Sequence, residues 1–380
     1  MKKKICFIVS SPLTAKTFLC NHIEALSHYY EVYLVANVTK ENNILFNLPL
    51  TEIKNIPIQR KISVIQDIKA LFLLKKYFKK NKFDAIHSVT PKAGLISMLA
   101  GRFGRIKIRI HIFTGQVWHT KTGIMKKILK LMDKCIVWNS TNILVDGYSQ
   151  REYLIKNNIV KETNSKVLGR GSISGVDTDK FIPNAQISKD IREELKISPS
   201  TIVFMFLGRL NKDKGIFDLV EAFIHLKQQY EDICLLLVGY DEEDVEKKVK
   251  IKYNNQADSI VFYGLTKSPE KMLQVCDVFC LPSYREGFGT SVIEASLLEK
   301  AIICSDTYGL RETIIENETG LRHKVTDVES LIFQMKKLID NEELRCFLGK
   351  KGRQYVLNNF SAQIITNEWI MFYKKLFENV

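Results

Sequence analysis

The sequence predicts an α/β protein built as two Rossmann-like, doubly wound domains that face an interdomain cleft. Three observations predict it. Short β-branched runs alternate with helically patterned stretches along the whole chain, which is how parallel sheets with crossover helices read. The 380 residues suit two domains, each with its own core. The alternation pauses once, at FIPNAQISKDIREELKISPS (181–200), a polar stretch with Pro183 and Pro199 that reads as a linker region. The expected domains are residues 1–180 and 181–360, with a C-terminal helix over about 361–380 that packs back on the first.

The elements follow in order. ICFIVS (5–10) opens the chain as a strand. MKKKICFIVSSPLT imitates a secretory signal, with a basic start and an apolar run. The run is only about seven residues long and no small-residue cleavage site follows it, so a strand is expected instead. VYLVAN (32–37), AIHSV (85–89), IRIHIF (108–113), CIVWN (135–139) and ILVDG (143–147) read as further strands. Helical patterns over 17–29, 63–81 and 120–132 separate several of them. In the second half, IVFMFLG (202–208), CLLLVG (234–239), SIVFYG (259–264), VFCLP (278–282) and AIICS (301–305) read as strands. Helices are expected around 215–229, 242–253, 268–275, 289–299, 328–338 and 342–357. SAQIITNEWIMFYKKLFENV closes the chain as an amphipathic helix. No run reaches the 18 apolar residues of a membrane span.

Composition narrows the class. Hydrophobic residues make up 46% and charged residues 26%, as in soluble globular proteins. The eight cysteines lack paired or zinc-type spacing and read as free thiols in a reducing compartment. The net charge of +14 is uneven. Residues 1–185 hold 30 Lys and Arg against 12 Asp and Glu, a balance of +18; residues 186–380 hold 26 against 30, a balance of −4. A basic half fits nucleic acid, an anionic membrane surface or a phosphorylated substrate. No nucleic-acid motif accompanies the charge, so no nucleic-acid partner is expected. KISVIQDIKALFLLKKYFKKNK (61–82) carries seven lysines and one Asp; TKTGIMKKILKLMDK (120–134) carries five lysines and one Asp. The apolar positions of the first (Val64, Ile68, Leu71, Leu74, Phe78) recur at helical spacing and are expected to form its one buried face. Such helices either lie on anionic lipid or present a solvated lysine face.

Two motifs carry the chemistry. In FLGRLNKDKGIFDLVEAF (206–223) a strand ends at Gly208 and a helix opens near Gly215. Arg209 and Lys214 then project from the carboxyl edge of a sheet, where doubly wound folds bind ligands. Two cations beside a helix N-terminus suit a diphosphate. REGFGTSVIEAS (285–296) repeats the strand–turn–helix topology. Gly287 and Gly289 let backbone N–H groups approach an anion, while Glu286 and Glu294 suit sugar hydroxyls. Asp177-Thr178-Asp179 imitates a metal-binding D-x-D, but two carboxylates fall short of the oxygen ligands a hard cation takes. GRGSISG (169–175) lacks the Gly-Lys-Ser/Thr of a Walker loop. His87 lies in a strand as a core residue or a ligand; His22, His28, His225 and His323 read as structural or surface.

G-R-x4-K-G (208–215), followed about 70 residues later by E-G-F-G-T-S-x2-E-A (286–295), resembles the retaining glycosyltransferases of family 4, which have the GT-B fold. DAIHSVTPKAGL (84–95), ISGVDTDKF (173–181) and FYGLTKSPEKMLQVCDVFCLPSYREGFG (262–289) extend the resemblance over most of the chain. RIHIFTGQVW (109–118) is similar to bacterial N-acetylgalactosaminyltransferases that extend undecaprenyl-diphosphate-linked sugars. The resemblance implies a donor diphosphate on Arg209 and Lys214, a ribose on Glu294, and a transferred sugar on Glu286 and the Phe288–Gly289–Thr290 backbone. Leu265 would contact the base. It implies a retaining hexosyltransferase with no cofactor and no metal, a UDP-sugar donor (an N-acetylhexosamine such as GalNAc or GlcNAc) and an undecaprenyl-diphosphate-linked acceptor. The expected setting is O-antigen, lipopolysaccharide or other surface polysaccharide biosynthesis. The enzyme would be cytoplasmic and peripheral on the inner membrane, its basic first domain on the anionic surface. Two departures stand out. SSPLTAKT (10–17) replaces the family's Gly-rich first turn, and Phe-Thr-Gly (113–115) replaces its His-Gly. Thr114 takes the histidine's position, with His111 three residues earlier; both are candidates to face the sugar. A nucleotide-sugar epimerase of the same architecture and a non-enzymatic binder of anionic lipid or nucleic acid remain the alternatives.

Overall fold

The computed structural model describes residues 2–38, 47–59 and 63–378. Lys61 and Ile62, where the basic stretch begins, and residues 379–380 lie outside that range. The chain divides into two units, Met1–Gly175 with Ala362–Val380, and Val176–Ser361.

The first unit is a seven-stranded parallel sheet: β1 (Lys4–Ile8), β2 (Glu31–Ala36), β3 (Glu52–Asn55), β4 (Ala85–Val89), β5 (Ile108–Phe113), β6 (Asn142–Val145) and β7 (Ser165–Lys166). Their order is β3-β2-β1-β4-β5-β6-β7. Ile5 to Ile8 are all buried, because a parallel sheet is covered on both faces and its strands become continuously apolar. Helices Val64–Asn81, Pro91–Phe103 and Gly123–Asn139 cover one face through Leu74, Phe78, Ile96 and Ile136. Helices Cys20–Ser27 and Ala362–Glu378 cover the other through Ile23, Leu26, Ile365 and Trp369. Trp369 is stacked between His22 (4.3 Å between ring centres) and His87 (4.8 Å). His22 Nε2 donates to the Ile173 carbonyl at 2.6 Å, and Thr366 Oγ1 donates to its Nδ1 at 3.1 Å. His87 Nδ1 meets the Tyr373 hydroxyl at 2.8 Å. His87 is therefore a core residue that docks the C-terminal helix.

The second unit is a six-stranded parallel sheet: β8 (Ile202–Leu207), β9 (Ile233–Val238), β10 (Ile260–Gly264), β11 (Val278–Leu281), β12 (Ala301–Ser305) and β13 (Leu321–His323). Their order is β10-β9-β8-β11-β12-β13. Strand order reverses between β8 and β11 here, and between β1 and β4 in the first unit. Each reversal leaves a crevice at the strands' carboxyl ends.

Four expectations need correction. CIVWN is the last turn of helix Gly123–Asn139, not a strand, since a short apolar run fits a buried helix equally well. The expected helix 17–29 is two, Pro12–Phe18 and Cys20–Ser27. Within the 181–200 stretch lies helix Ala185–Glu194, capped by Asn184 and tied to the second unit by Arg192, which donates to Asp277 at 2.7 Å. Val64 and Ile68, expected in a buried face, are exposed. All eight cysteines are free. Among the described residues no helix is long and apolar enough to cross a membrane.

Candidate active site

The G-R-x4-K-G loop leaves β8 and the E-G-F-G-T turn leaves β11, so the two motifs flank the second sheet's switch point. Asn211 caps the single 3₁₀ turn Lys212–Lys214, its Oδ1 accepting from the Lys214 N–H at 3.1 Å. Gly215 then takes a left-handed conformation (φ +69°) before helix Ile216–Lys227. A Cβ there would lie 2.1 Å from the Pro282 carbonyl at the end of β11. Only glycine permits that approach, and the approach brings the two loops together.

Polar contacts then tie them. Tyr284 N–H donates to the Asp213 carbonyl at 2.9 Å, and Arg285 Nε donates to the Asp213 carboxylate at 3.0 Å. The Tyr284 hydroxyl donates to Asp218 at 2.9 Å. At the centre, the Lys214 ammonium donates to the Glu286 carboxylate, which also accepts from Ser283 Oγ at 2.7 Å. Lys214 and Glu286, 72 residues apart, are largely buried, 19% and 13% exposed. Under the turn, Gly309 (φ +81°) packs so closely that a Cβ would sit 2.5 Å from the Gly287 carbonyl. The Gly289 N–H is taken by the Gly309 carbonyl at 3.2 Å. Among the described residues the Gly287 and Phe288 N–H groups have no acceptor, and they stand just before helix Thr290–Leu297. Two free backbone donors at a helix start, beside a lysine, suit an anion.

The other expected residues divide. Arg209 turns to Glu242, its Nη1 donating to both carboxylate oxygens at 2.9 and 3.0 Å; Asn211 Nδ2 donates to the same carboxylate at 2.6 Å. Arg209 is thus at the right sheet edge but committed to an ion pair. Glu294 sits in the second turn of its helix, and among the described residues its carboxyl makes no hydrogen bond. Burial pushes that carboxyl up to about 7, with Lys180 opposing and Glu270 adding to the rise. The Phe288 ring packs on Phe360 at 5.3 Å, so only its backbone is available. Thr290 begins the helix, half-buried. Leu265 follows β10, exposed at the same sheet edge.

In the first unit, Thr114 follows β5 at its carboxyl end, half-buried. His111 does not face outward. It is fully buried, with Nδ1 to Ser88 Oγ at 2.8 Å and its ring edge-on to Phe113 at 4.6 Å. Gly94 leaves it room, since a Cβ there would lie 2.5 Å from the ring. Burial pushes its pKa down to about 3. A sugar-facing role for His111 is therefore corrected to a core role. Asp177 accepts from the Asp179 and Lys180 N–H groups at 3.0 and 3.1 Å, which makes the D-x-D stretch a turn.

Sequence reasoning missed the groups that set this geometry: Asn211, Glu242, Asp213, Asp218, Ser283 and Gly309. It also missed a buried polar cluster where β5 and β6 end. There Gln150 Nε2 donates to Gln116 at 3.3 Å, and Gln150 Oε1 accepts from the Asp146 N–H at 3.1 Å. Burial pushes the Asp146 carboxyl up to about 8.

The chain is similar to known proteins in sequence and in fold. The family model described as glycosyl transferases group 1 matches residues 187–355, and that described as glycosyl transferase 4-like matches residues 4–145. The chain is similar to the capsular polysaccharide biosynthesis glycosyltransferase CapM of Staphylococcus aureus, at 32% identity over 82% of each chain. It is 28% identical to an Escherichia coli UDP-Gal:α-D-GlcNAc-diphosphoundecaprenol α-1,3-galactosyltransferase, over 80% of this chain and 78% of that one. It is 26% identical, over 82% of each chain, to the Campylobacter jejuni N,N'-diacetylbacillosaminyl-diphospho-undecaprenol α-1,3-N-acetylgalactosaminyltransferase. In fold it is similar to Anabaena Alr3699/HepE, solved with UDP and glucose. The TM-score is 0.82 at 15% identity, over 98% of this chain and 99% of that one.

Proposed function

This chain belongs to the group 1 glycosyltransferases, and we propose that it is a retaining, metal-independent member that moves an N-acetylhexosamine from a UDP-sugar to an undecaprenyl-diphosphate-linked acceptor. Its place would be the assembly of a bacterial surface polysaccharide or glycan, at the cytoplasmic face of the inner membrane. The Escherichia coli and Campylobacter jejuni relatives act on diphosphoundecaprenol-linked sugars, which supports the acceptor class.

The observation that carries the reading is the Lys214–Glu286 pair at the β8–β11 switch point. When a glycosidic bond to a nucleoside diphosphate breaks, negative charge grows on the departing phosphate. Lys214 and the free N–H groups of Gly287 and Phe288 would meet that charge, and Arg209 would join by leaving Glu242. This is electrostatic stabilisation by donors held ready before the reaction. Glu286, relieved of its lysine, would accept hydroxyls of the transferred sugar. Glu294 would accept the ribose hydroxyls, and Leu265 would cover the base. In the front-face course, the acceptor oxygen bonds to the anomeric carbon as the phosphate leaves from the same side. The leaving phosphate oxygen takes the acceptor's proton, and configuration is kept because the bond forms on the face from which the phosphate departs.

The test is transfer from UDP-GalNAc, UDP-GlcNAc and UDP-Gal to a diphosphoundecaprenol-linked sugar, with the product's anomeric configuration read by NMR. Lys214→Ala and Glu286→Ala are each expected to lower kcat about 10²–10³-fold, the usual cost of one such donor, while both proteins stay folded. Near-wild-type turnover in either variant removes the site assignment. An inverted product removes the retaining mechanism.

A further inference from the structure

Strands β5 and β6 end side by side at the carboxyl edge of the first sheet, with Phe113 paired to Val145. Thr114 and Asp146 are the next residues of the two strands. Asp146 is 3% exposed, and the carboxamides of Gln150 and Gln116 are buried in the same chain of contacts. The Asp146 backbone is held from three sides. Its N–H donates to Gln150 Oε1 at 3.1 Å and to the Phe113 carbonyl at 3.3 Å, and its carbonyl accepts from the Ser172 N–H at 2.7 Å. Gln150 is fixed in turn, since its Nε2 donates to Gln116 Oε1 at 3.3 Å. The side chain is the exception. Among the described residues Asp146 Oδ1 is buried and has no hydrogen-bond partner.

A buried polar atom without a partner destabilises the fold that holds it, and most such atoms have one. No cation of this chain compensates Asp146: burial alone pushes its carboxyl up to about 8. Among the described residues no three His, Cys, Asp or Glu side chains come together to hold a metal ion. A cationic ligand is disfavoured by the +18 balance of the first 185 residues. A neutral group that both donates and accepts fits best. A carboxyl that keeps its proton does both, and so does a sugar hydroxyl. The place agrees, because doubly wound sheets bind ligands outside the carboxyl ends of their strands. Asp146 also stands on a strand end braced by packed neighbours, which is how a selective polar contact is held in position.

We infer that Asp146, braced by Gln150, forms a subsite for one non-reacting hydroxyl of the acceptor's terminal sugar, and so selects which sugar is extended. The subsite rests on the transfer reaction proposed above and adds to it a specificity determinant in the first unit. Asp146 binds and orients; the acceptor's proton still leaves with the phosphate. An acceptor lacking that hydroxyl would leave the carboxyl buried and unpaired, which is the strongest way a site rejects a near-identical substrate.

The test uses the full-length protein with GlcNAc- and GalNAc-diphosphoundecaprenol, and the 3-, 4- and 6-deoxy forms of whichever is extended. One deoxy form lacks the reacting hydroxyl and is inert with every variant. Of the other two, wild type is expected to use one at least about tenfold less well than the parent sugar, through the acceptor KM. Asp146→Leu should raise the acceptor KM for the parent by a similar factor and use parent and deoxy forms alike. Asp146→Asn, which keeps an acceptor and a donor, should fall between. Stabilisation by UDP and the donor KM should not change in either variant. The melting temperature of Asp146→Leu should match or exceed that of wild type, because an unpaired buried carboxyl is gone. Wild type that uses both non-reacting deoxy forms as well as the parent would overturn the subsite. So would variants that melt lower yet discriminate the deoxy forms as wild type does, since Asp146 would then be a packing residue. Wild type that extends neither acceptor from UDP-GalNAc, UDP-GlcNAc or UDP-Gal removes the transfer reading and this subsite with it, whereas transfer without the discrimination removes the subsite alone.

Discussion

Gly309 shapes the candidate site without presenting a functional group. Its positive φ and its approach to the Gly287 carbonyl hold the turn that carries Glu286. Gly309→Ala would both strain the backbone and drive a methyl group into that carbonyl. The expected cost is about 1–3 kcal/mol in urea unfolding, with a fall in transfer activity as Glu286 and the free N–H groups move. Glu294 gives a pH signature. Its carboxyl, raised from 4.5 to about 7, holds its proton more tightly in the fold than in the unfolded chain. That contribution to stability is present below pH 4.5 and is lost as pH rises toward 7. UDP affinity should run the other way, rising as the carboxylate forms and accepts both ribose hydroxyls. Glu294→Gln should flatten both profiles, read by thermal unfolding and by titration calorimetry between pH 5 and pH 8. The two motifs were legible because their glycines and charges lie within a few residues of each other. Glu242 and Asp213 were not, since each acts on a residue brought near by strand order; Ser283 acts on Glu286 only three residues on, but the bend that turns its hydroxyl inward has no mark in the sequence. His111 was misread for a related reason: it was a candidate because it lies three residues before Thr114, and only the packing of Gly94 and Phe113 reveals it as core.

Among the elements, strands with long apolar runs, such as β8, β9 and β12, were plain in the sequence because burial on both faces leaves them almost wholly apolar. The short edge strands β3, β7 and β13 were not, since two to four residues carry no period. The basic helix Val64–Asn81 was legible as a helix but not as a surface. Periodicity identifies one apolar face, and this helix has two. The C-terminal helix was readable as amphipathic, and the structure supplies its partners. Trp369 is fully buried between two neutral histidines, so Trp369→Ala should cost about 3–5 kcal/mol in the unfolding of the first unit. Burial lowers His22 to about 4, below its ordinary 6.5. Its stabilising neutral form is fully present above pH 6.5, and that contribution is lost as pH falls toward 4, at about 1.4 kcal/mol per pH unit. His22→Gln should remove much of this acid sensitivity, as measured by urea unfolding at pH 7, 5.5 and 4.5.

At the scale of the whole molecule, the two units are assembled differently. The second, Val176–Ser361, is one continuous segment with its own core, and it contains Arg209, Lys214, Glu286 and Glu294. The first is discontinuous: its sheet is closed on one face by the last helix of the chain, through Ile365, Trp369 and Tyr373. Cutting the chain at these boundaries should therefore have unequal results. A fragment of residues 176–361 exposes no large face of its own core and is expected to fold cooperatively. If the pocket at the β8–β11 switch point is the donor site, that fragment also retains the stabilisation by UDP seen in the full chain, because a ligand that binds only the folded form raises its apparent stability. A fragment of residues 1–175 leaves Phe7, Ile23 and His87 uncovered and is expected to aggregate. Supplying residues 362–380 as a separate peptide should restore its solubility, and a Trp369→Ala peptide should not. A first fragment that folds without the helix would mean that the histidine–tryptophan stack is incidental to that unit's stability. A folded second fragment indifferent to UDP would detach the Lys214–Glu286 pair from donor binding.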